Sequence, residues 1–210
     1  MKWRDLLAKV GDEPVFTPGF LISGQMGLPE VRLQLSRWVK GGKLIQIRKG
    51  LYTLASPFNK VSPAPFLVSN AMKSGSYVSL QSALAYYGMI PEYVPMVTAV
   101  TTGRPGIVDA MEMRFVFRHI KKAWFFGYQQ IQLTAKQQAF VAFPEKALLD
   151  LIYLTPDAQH RSFLMELRLQ NLDRLNSDVL KNWAGQGGPK IKQAIQRILE
   201  LMEEDSGEEL

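Results

Sequence analysis

The chain has 210 residues, of which 47% are hydrophobic and 21% are charged, and its formal net charge is +6. This length suits one large domain or two small ones, and this composition is typical of a globular protein that buries a core. Cysteine is absent and no apolar run reaches the roughly 18 residues of a membrane helix, which excludes disulfides and thiolate metal sites and predicts a cytoplasmic protein without a membrane partner.

The first predicted elements are three short helices that precede residue 41. Residues 3–10 form an amphipathic pattern that predicts the first helix. Thr17 is expected to cap a second helix, because a proline follows it at the first helical position, and Gly24 is expected to end that helix. The third helix begins at Pro29 and ends at the glycine pair that starts with Gly41.

Two short apolar strands follow, over residues 44–48 and 51–54, with Lys49 and Gly50 at the turn between them. A two-stranded ribbon of this size is too small to be stable alone in water, so it must pack on the helices. The candidates for its buried side are Ile45, Ile47, Tyr52 and Leu54. A helix, a turn, a second helix and a ribbon predict a winged helix-turn-helix domain over residues 1–57.

The outer face of the third helix and the tip of the ribbon carry the residues that we expect to bind DNA. Residues 1–55 hold nine Lys/Arg and four Asp/Glu, a net charge of +5, which favours an anionic partner. Such a helix fits the major groove of DNA, and the ribbon tip can neutralise phosphates. The predicted DNA-binding residues are Arg32, Leu33, Ser36, Arg37, Lys40, Lys43, Arg48 and Lys49. The alternative is that the charges only solvate an amphipathic helix.

A proline-rich break over residues 55–65 separates this unit from a larger second domain, which we place at 58–199. Helical and strand patterns are interspersed there, so we expect a mixed α/β domain and an α+β class for the whole chain. The predicted strands are MVTAVTT, MRFVFRHI, YQQIQL and QAFVAF, of which the last two are expected to pair. The predicted helices are APFLVSNAMKSG, SLQSALAYYGMI and FPEKALLDLIYL, with three more around residues 161–170, 176–184 and 189–203.

Most polar and aromatic residues of the larger domain are interpreted as structural. Ser79 is expected to cap its helix and Ser82 to lie on the surface. The tyrosines expected to be packed aromatics are Tyr77, Tyr86 and Tyr87. The predicted core-facing residues of the helix after Pro144 are Ala147, Leu148, Leu151, Ile152 and Leu154. Residues 200–210 hold six acids and no base, and we expect them to form a disordered acidic tail.

A second group of cations lies in the larger domain, because residues 56–199 carry sixteen Lys/Arg and nine Asp/Glu. The segment RHIKK puts four potential cations within five residues, beside Trp124. The candidate members of this second basic patch are Arg104, Arg114, Arg118, Lys121 and Lys122. Such a group can bind along the phosphates of a nucleic acid or contact a partner protein. The alternative is that these charges are only hydrated by solvent.

Glu145, Lys146 and Asp150 raise the question of a metal-dependent nuclease. The two carboxylates lie five residues apart on the predicted helix, which turns them about 140° away from each other and is poor geometry for sharing an ion. The two histidines, His119 and His160, lack metal-ligand spacing, and no phosphate-binding glycine loop or nucleophile elbow is present. We therefore expect no enzymatic activity, no cofactor and no metal.

Five motifs resemble those of the AbiEi-type antitoxins, which are transcriptional regulators of bacterial abortive-infection, type IV toxin–antitoxin systems. In chain order they are GGKLIQIRKGLYTL, GSYVSLQSALAYYGMIP, VTAVTTGRP, FRHIKKAWFFGY and FPEKALLDLIYL. The resemblance runs from about Phe16 to Tyr153, and the C-terminal residues lie outside it.

This resemblance implies that the N-terminal winged helix binds inverted repeats in the promoter of its own operon and represses it. It also implies that the second domain supplies the antitoxic activity and further basic surface. The implied functional partner is a nucleotidyltransferase-like toxin encoded alongside, with or without a stable complex between the two proteins. The competing hypothesis is a protein-interaction module that neutralises a partner protein without sequence-specific DNA binding.

Overall fold

The computed structural model describes residues 1–22, 27–91 and 95–208, and the chain is an α+β protein in which N-terminal helices precede a mixed sheet. Helix α1 spans Trp3–Val10 and helix α2 spans Leu28–Lys40, as the sequence predicts. The amide of Gly41 donates to the carbonyl of Arg37 at 2.9 Å and ends α2. The buried residues of α2 are Val31 and Leu35, which share one face because they lie four residues apart in the helix.

The predicted second helix is much shorter than expected. Pro18–Leu21 form a single 3-10 turn, and the side chain of Thr17 makes no capping hydrogen bond. A short element is reasonable here because Gly19 follows the proline and glycine is a weak helix former. The predicted end of this helix at Gly24 lies outside the described residues.

Strands β1 (Leu44–Arg48) and β2 (Leu51–Leu54) form the predicted antiparallel ribbon. Gly50 has a φ of 84° at the turn, a backbone conformation that glycine adopts without steric cost. Phe16 and Tyr52 exchange two backbone hydrogen bonds of 2.9 Å, which attach the ribbon to the segment that follows α1.

The ribbon packs on both of its faces, whereas one buried side was expected. Tyr52 and Leu54 join the core between α1 and α2, whereas Ile47 and Leu51 join the core of the larger domain. Ile45 was predicted to be buried and is 42% exposed, because it lies on the opposite face from the buried Leu44 at the open end of the ribbon. The ribbon therefore links the two hydrophobic cores.

The larger domain is built on a six-stranded mixed sheet with the order β5-β6-β4-β3-β8-β7. Its strands are β3 (Ser76–Val78), β4 (Met96–Thr101), β5 (Gly106–Ala110), β6 (Met113–His119), β7 (Tyr128–Thr134) and β8 (Gln137–Ala142). The pairs β4–β6 and β3–β8 are parallel and the other pairs are antiparallel, including the predicted pair β7–β8. Strands β3 and β5 were not predicted, because the first has three residues and the second is a largely exposed edge strand.

Six helices of the described residues accompany this sheet. They are α3 (Pro65–Met72), α4 (Leu80–Tyr86), α5 (Pro144–Leu154), α6 (Arg161–Glu166), α7 (Ser177–Gly185) and α8 (Pro189–Glu208). Helix α5 contacts α4, α7, α8 and β8, so it is buried on every side rather than on one face. Of its predicted core residues only Leu154 is half-buried, and the others are fully buried.

Helix α8 continues through Glu208, so residues 200–208 of the predicted acidic tail are helical. Five of these residues are acids, and in the first half of the helix Ile191, Ile195 and Ile198 are buried. Among the described residues, no helix combines the length and the apolar character that crossing a membrane requires.

Candidate nucleic-acid interface

The outer face of α2 presents side chains that were predicted to bind DNA. Leu33, Ser36, Arg37 and Lys40 lie on this face, Arg32 lies on its flank, and all five are exposed. The side chain of Leu33 is 55% exposed and lies beside these cations. The opposite face of α2 buries Val31 and Leu35, so packing fixes which side of the helix points outward.

The ribbon tip adds two more exposed cations, Arg48 and Lys49. We define the cation ridge as Arg32, Arg37, Lys40, Arg48 and Lys49. None of the five forms an ion pair or a side-chain hydrogen bond with the described part of the chain. Their charges are therefore available to an external anion.

Lys43, which was also predicted to bind DNA, contacts the protein. Its side chain is half-buried, and its ammonium lies 5.2 Å from the centre of the Trp3 ring in a cation–π contact. Trp3 also packs edge-on against Trp38 and Phe58, with ring centres 5.2 Å and 5.1 Å away. This cluster holds α1 against α2, so the contact of Lys43 with Trp3 helps to fix the helix that carries Arg32, Arg37 and Lys40.

One carboxylate fastens the N-terminal unit to the larger domain. Asp12, which follows α1, forms ion pairs with Lys136 at 2.6 Å and with Lys60 at 3.4 Å. The hydrogen bond from Lys136 and the two positive charges lower the pKa of Asp12 below its ordinary value of 3.8. Because Lys136 belongs to the turn between β7 and β8, this contact helps to fix the orientation of the ridge relative to the sheet.

Replacing Asp12 by asparagine is expected to remove a small, pH-dependent contribution to stability. A carboxylate with a lowered pKa stabilises the folded state above about pH 3.8, its unfolded value, and loses that contribution as the pH falls through the lowered pKa. Urea unfolding at a series of pH values should therefore show wild type and Asp12→Asn converging in acid. A stability difference that persists unchanged below the lowered pKa would contradict this role.

In the predicted second basic patch, Arg114 lies apart from the other members. Arg114 pairs with Asp109 at 2.8 Å at the start of β6, whereas Lys121 and Lys122 follow the end of that strand. Positions 114 and 119 are five residues apart in the strand, so their Cα atoms are about 16 Å apart. Arg104 lies near the end of β6 that precedes Lys121, because the carbonyl of its neighbour Gly103 is 3.0 Å from the ring nitrogen of His119, the last residue of β6. Arg118 donates to the carbonyl of Leu154 at 3.0 Å. All five predicted residues are exposed, and most of the length of β6 separates Arg114 from the others.

A buried ionic cluster was not predicted as such. Lys146 and Asp150 form an ion pair one turn apart on α5, and both side chains are fully buried. Asp150 also accepts hydrogen bonds from the hydroxyls of Tyr77, at 2.9 Å, and Ser79, at 2.8 Å. Ser79 was predicted to cap α4; it is buried and bonds to Asp150 instead, and Ser82, predicted on the surface, is also buried. The sequence signal was a lysine and an aspartate four residues apart inside an apolar helix.

Burial dominates the electrostatics of this cluster. It raises the pKa of Asp150 and lowers that of Lys146, and in each residue the charge and hydrogen bond of the other oppose the shift. Burial and then the charge of Asp150 raise the pKa of Tyr77. The Lys146 ammonium lies 4.9 Å from the Phe126 ring centre and 5.2 Å from that of Trp124, so aromatic rings enclose it. These contacts are those of a structural ion pair that joins β3, α4 and α5.

The carboxylate of Glu145 serves a separate purpose, because it accepts a hydrogen bond from the amide of Asn176 at 2.8 Å ahead of α7. Glu145 and Asp150 therefore have different partners, in agreement with their expected separation around the helix. Within residues 1–22, 27–91 and 95–208, no group of three or more His, Cys, Asp or Glu side chains is arranged to hold a metal ion.

Comparison of the sequence with family models and with curated proteins finds no match. Among solved structures, the fold is similar to the crystal structure of the RV2827C protein from Mycobacterium tuberculosis, with a TM-score of 0.61 and 15% sequence identity. The similarity covers 94% of this chain and 75% of that protein. At this identity the likeness is one of fold, and it extends over both the N-terminal helices and the mixed sheet.

Proposed function

We propose that this protein is a DNA-binding transcriptional autorepressor and the antitoxin of a type IV toxin–antitoxin system of the abortive-infection kind. It binds inverted repeats in its own promoter and counteracts a nucleotidyltransferase-like toxin. The observation that carries the proposal is the exposed cation ridge, whose members have no ionic partner in the described part of the chain. Unpaired cations bind phosphates readily, because no carboxylate of the protein has to be displaced first.

In this proposal the N-terminal unit acts as a winged helix-turn-helix domain. The segment from α1 through the 3-10 turn supports α2, which enters the major groove as the recognition helix. The ribbon β1–β2 is the wing, and its tip reaches the neighbouring phosphates or the minor groove. The burial of the ribbon on both faces supports this assignment, since a wing fixed to both cores presents its tip at a constant distance from α2.

The side chains of the ridge have different roles in the proposed complex. Arg37 lies in the last turn of α2 and can donate two parallel hydrogen bonds to a guanine base. Leu33 lies one turn earlier on the same face and can contact a thymine methyl group. Arg48 and Lys49 at the ribbon tip neutralise phosphates, which positions the protein without reading sequence.

Arg37→Ala is expected to weaken binding to the native promoter by about 1–3 kcal/mol and to relax the sequence preference at the position it reads. Lys49→Ala is expected to weaken native and scrambled fragments alike and to reduce the slope of log K against log salt concentration by about one. Fluorescence anisotropy with both DNA fragments, at several salt concentrations, measures the two effects separately.

Arg114→Ala is the matched control, because Arg114 is an exposed arginine outside the ridge that already pairs with Asp109. The DNA-binding proposal fails if Arg37→Ala and Lys49→Ala bind the promoter as tightly as this control does. An affinity of about 10⁻⁴–10⁻⁶ M with no preference for the promoter would favour the protein-interaction module instead. The antitoxin part is tested by co-expression with the neighbouring gene product, whose toxicity this chain should suppress.

A further inference from the structure

A cavity of about 480 Å³ lies in the larger domain between the sheet and the helices that cover it. Strands β4 and β6 form its floor, and the start of α4, the end of α5 and the end of α6 form its walls. The apolar side chains that line it are Leu80, Ile90, Val116, Leu151 and Leu167. Small-molecule sites in proteins typically occupy about 300–1,000 Å³, so this cavity has the size of a ligand site.

Two opposite charges, Arg118 and Glu166, line the cavity, and neither forms an ion pair with the described part of the chain. Arg118 uses one guanidinium nitrogen to donate to the carbonyl of Leu154 at 3.0 Å, which orients the group and leaves its other donors unused. Glu166 makes no ion pair or side-chain hydrogen bond with the described part of the chain, and it does not pair with Arg118. The rim therefore offers one anion-binding group and one cation-binding group to the same space.

The backbone at the cavity wall is strained. Leu80 has a φ of 58°, in the left-handed region that leucine rarely adopts, and its side chain is 2% exposed. Such a conformation is unfavourable for leucine and is found disproportionately where a protein holds a ligand. The neighbouring Ser79 bonds to the buried Asp150, so the ionic cluster holds this strained turn in place against the cavity.

We propose that this cavity binds a small zwitterion with an apolar side chain, of the chemical class of leucine and the other apolar amino acids. The carboxylate of the ligand pairs with the guanidinium of Arg118 and its ammonium pairs with the carboxylate of Glu166. Its side chain lies against Leu80, Ile90 and Leu151. The inference depends on the cavity alone and holds whether or not the chain binds DNA.

Isothermal titration of the full chain with leucine, leucinamide and N-acetyl-leucine tests the inference. Leucinamide lacks the carboxylate and N-acetyl-leucine lacks the ammonium, so each should bind at least about tenfold more weakly than leucine. Arg118→Gln should weaken leucine about tenfold and leave leucinamide unchanged. Glu166→Gln should weaken leucine to the same degree and leave N-acetyl-leucine unchanged.

The control variants are Arg114→Gln and Glu112→Gln, which remove an exposed charge of each sign outside the cavity and should bind leucine as wild type does. The inference is overturned if leucine, isoleucine, methionine and phenylalanine all fail to bind at millimolar concentration. It is also overturned if leucinamide binds as tightly as leucine, or if the controls lose as much affinity as the two rim variants. Arg118→Gln also removes the hydrogen bond to the carbonyl of Leu154 and could alter the local structure. Glu166 is exposed at the end of α6, so Glu166→Gln measures the contribution of a charge to leucine binding without that change.

Discussion

Replacing Asp150 by asparagine is expected to lower the free energy of unfolding by about 3–5 kcal/mol. The substitution keeps the size of the side chain but leaves the Lys146 ammonium without its counter-charge in a fully buried position. Removing one member of a buried pair is costly because the remaining charge has lost its hydration and gains nothing in return. Urea or thermal unfolding of the purified variant measures the loss directly.

Two further variants separate the cost of the unpaired charge from the cost of altered packing. The double variant Lys146→Met with Asp150→Leu removes both charges and should recover part of the stability, while the hydroxyls of Tyr77 and Ser79 lose their acceptor at about 1–3 kcal/mol each. Asp109→Asn breaks the exposed pair with Arg114 and should have little effect. An Asp150→Asn protein as stable as the Asp109→Asn protein would show that the cluster is not a stabilising unit of the fold.

Leu51→Ala is the substitution expected to separate the two parts of the molecule. Leu51 is 3% exposed and belongs to the ribbon face that packs into the core of the larger domain. Truncating a buried leucine to alanine costs about 2–5 kcal/mol, and here the lost contacts are those that join the two cores. We expect calorimetry to show the single transition of the wild type replaced by a broader or double transition, and proteases to cut more readily within residues 55–65.

Leu54→Ala provides the comparison, because Leu54 lies on the same strand but faces the small core of the N-terminal unit. It should destabilise that unit by a similar amount without exposing the connecting segment to proteases. Leu33→Ala, at an exposed position on α2, should stay within about 0.5 kcal/mol of wild type. If Leu51→Ala and Leu54→Ala behave alike, the ribbon does not couple the two cores.

Elements with a strong local pattern were predicted well. Helices α1 and α2 and both strands of the ribbon occur where the sequence placed them, because apolar periodicity and the glycine-containing turns act over a few neighbouring residues. The 3-10 turn at Pro18–Leu21 was predicted as a longer helix, since a cap and a proline mark where a helix begins but not how far it continues. Strand β3, with three residues, is too short to carry a pattern of its own.

The exposure of Arg32, Arg37 and Lys40 was predicted from helical periodicity, and that of Arg48 and Lys49 from the turn of the ribbon. The partial burial of Lys43 was not predicted, because it depends on Trp3. Trp3 lies forty residues earlier in the chain and contacts Lys43 only when α1 packs on α2. Arg114 lies apart from the rest of the predicted second basic patch for a similar reason. Its members are close in sequence, but β6 carries Arg114 and Lys121 to opposite ends of a sheet.

The sequence by itself determined helices α1 and α2, the ribbon and the outward cations of α2, because each depends on residues within one or two helical turns. Only the tertiary structure decided that Lys146 and Asp150 are buried, since Tyr77 lies 73 residues away from Asp150 along the chain. It also decided that the ribbon has two buried faces and that Arg118 and Glu166 share one cavity rim. Burial of a polar residue follows from what packs against it, and those partners come from distant segments that no local pattern identifies.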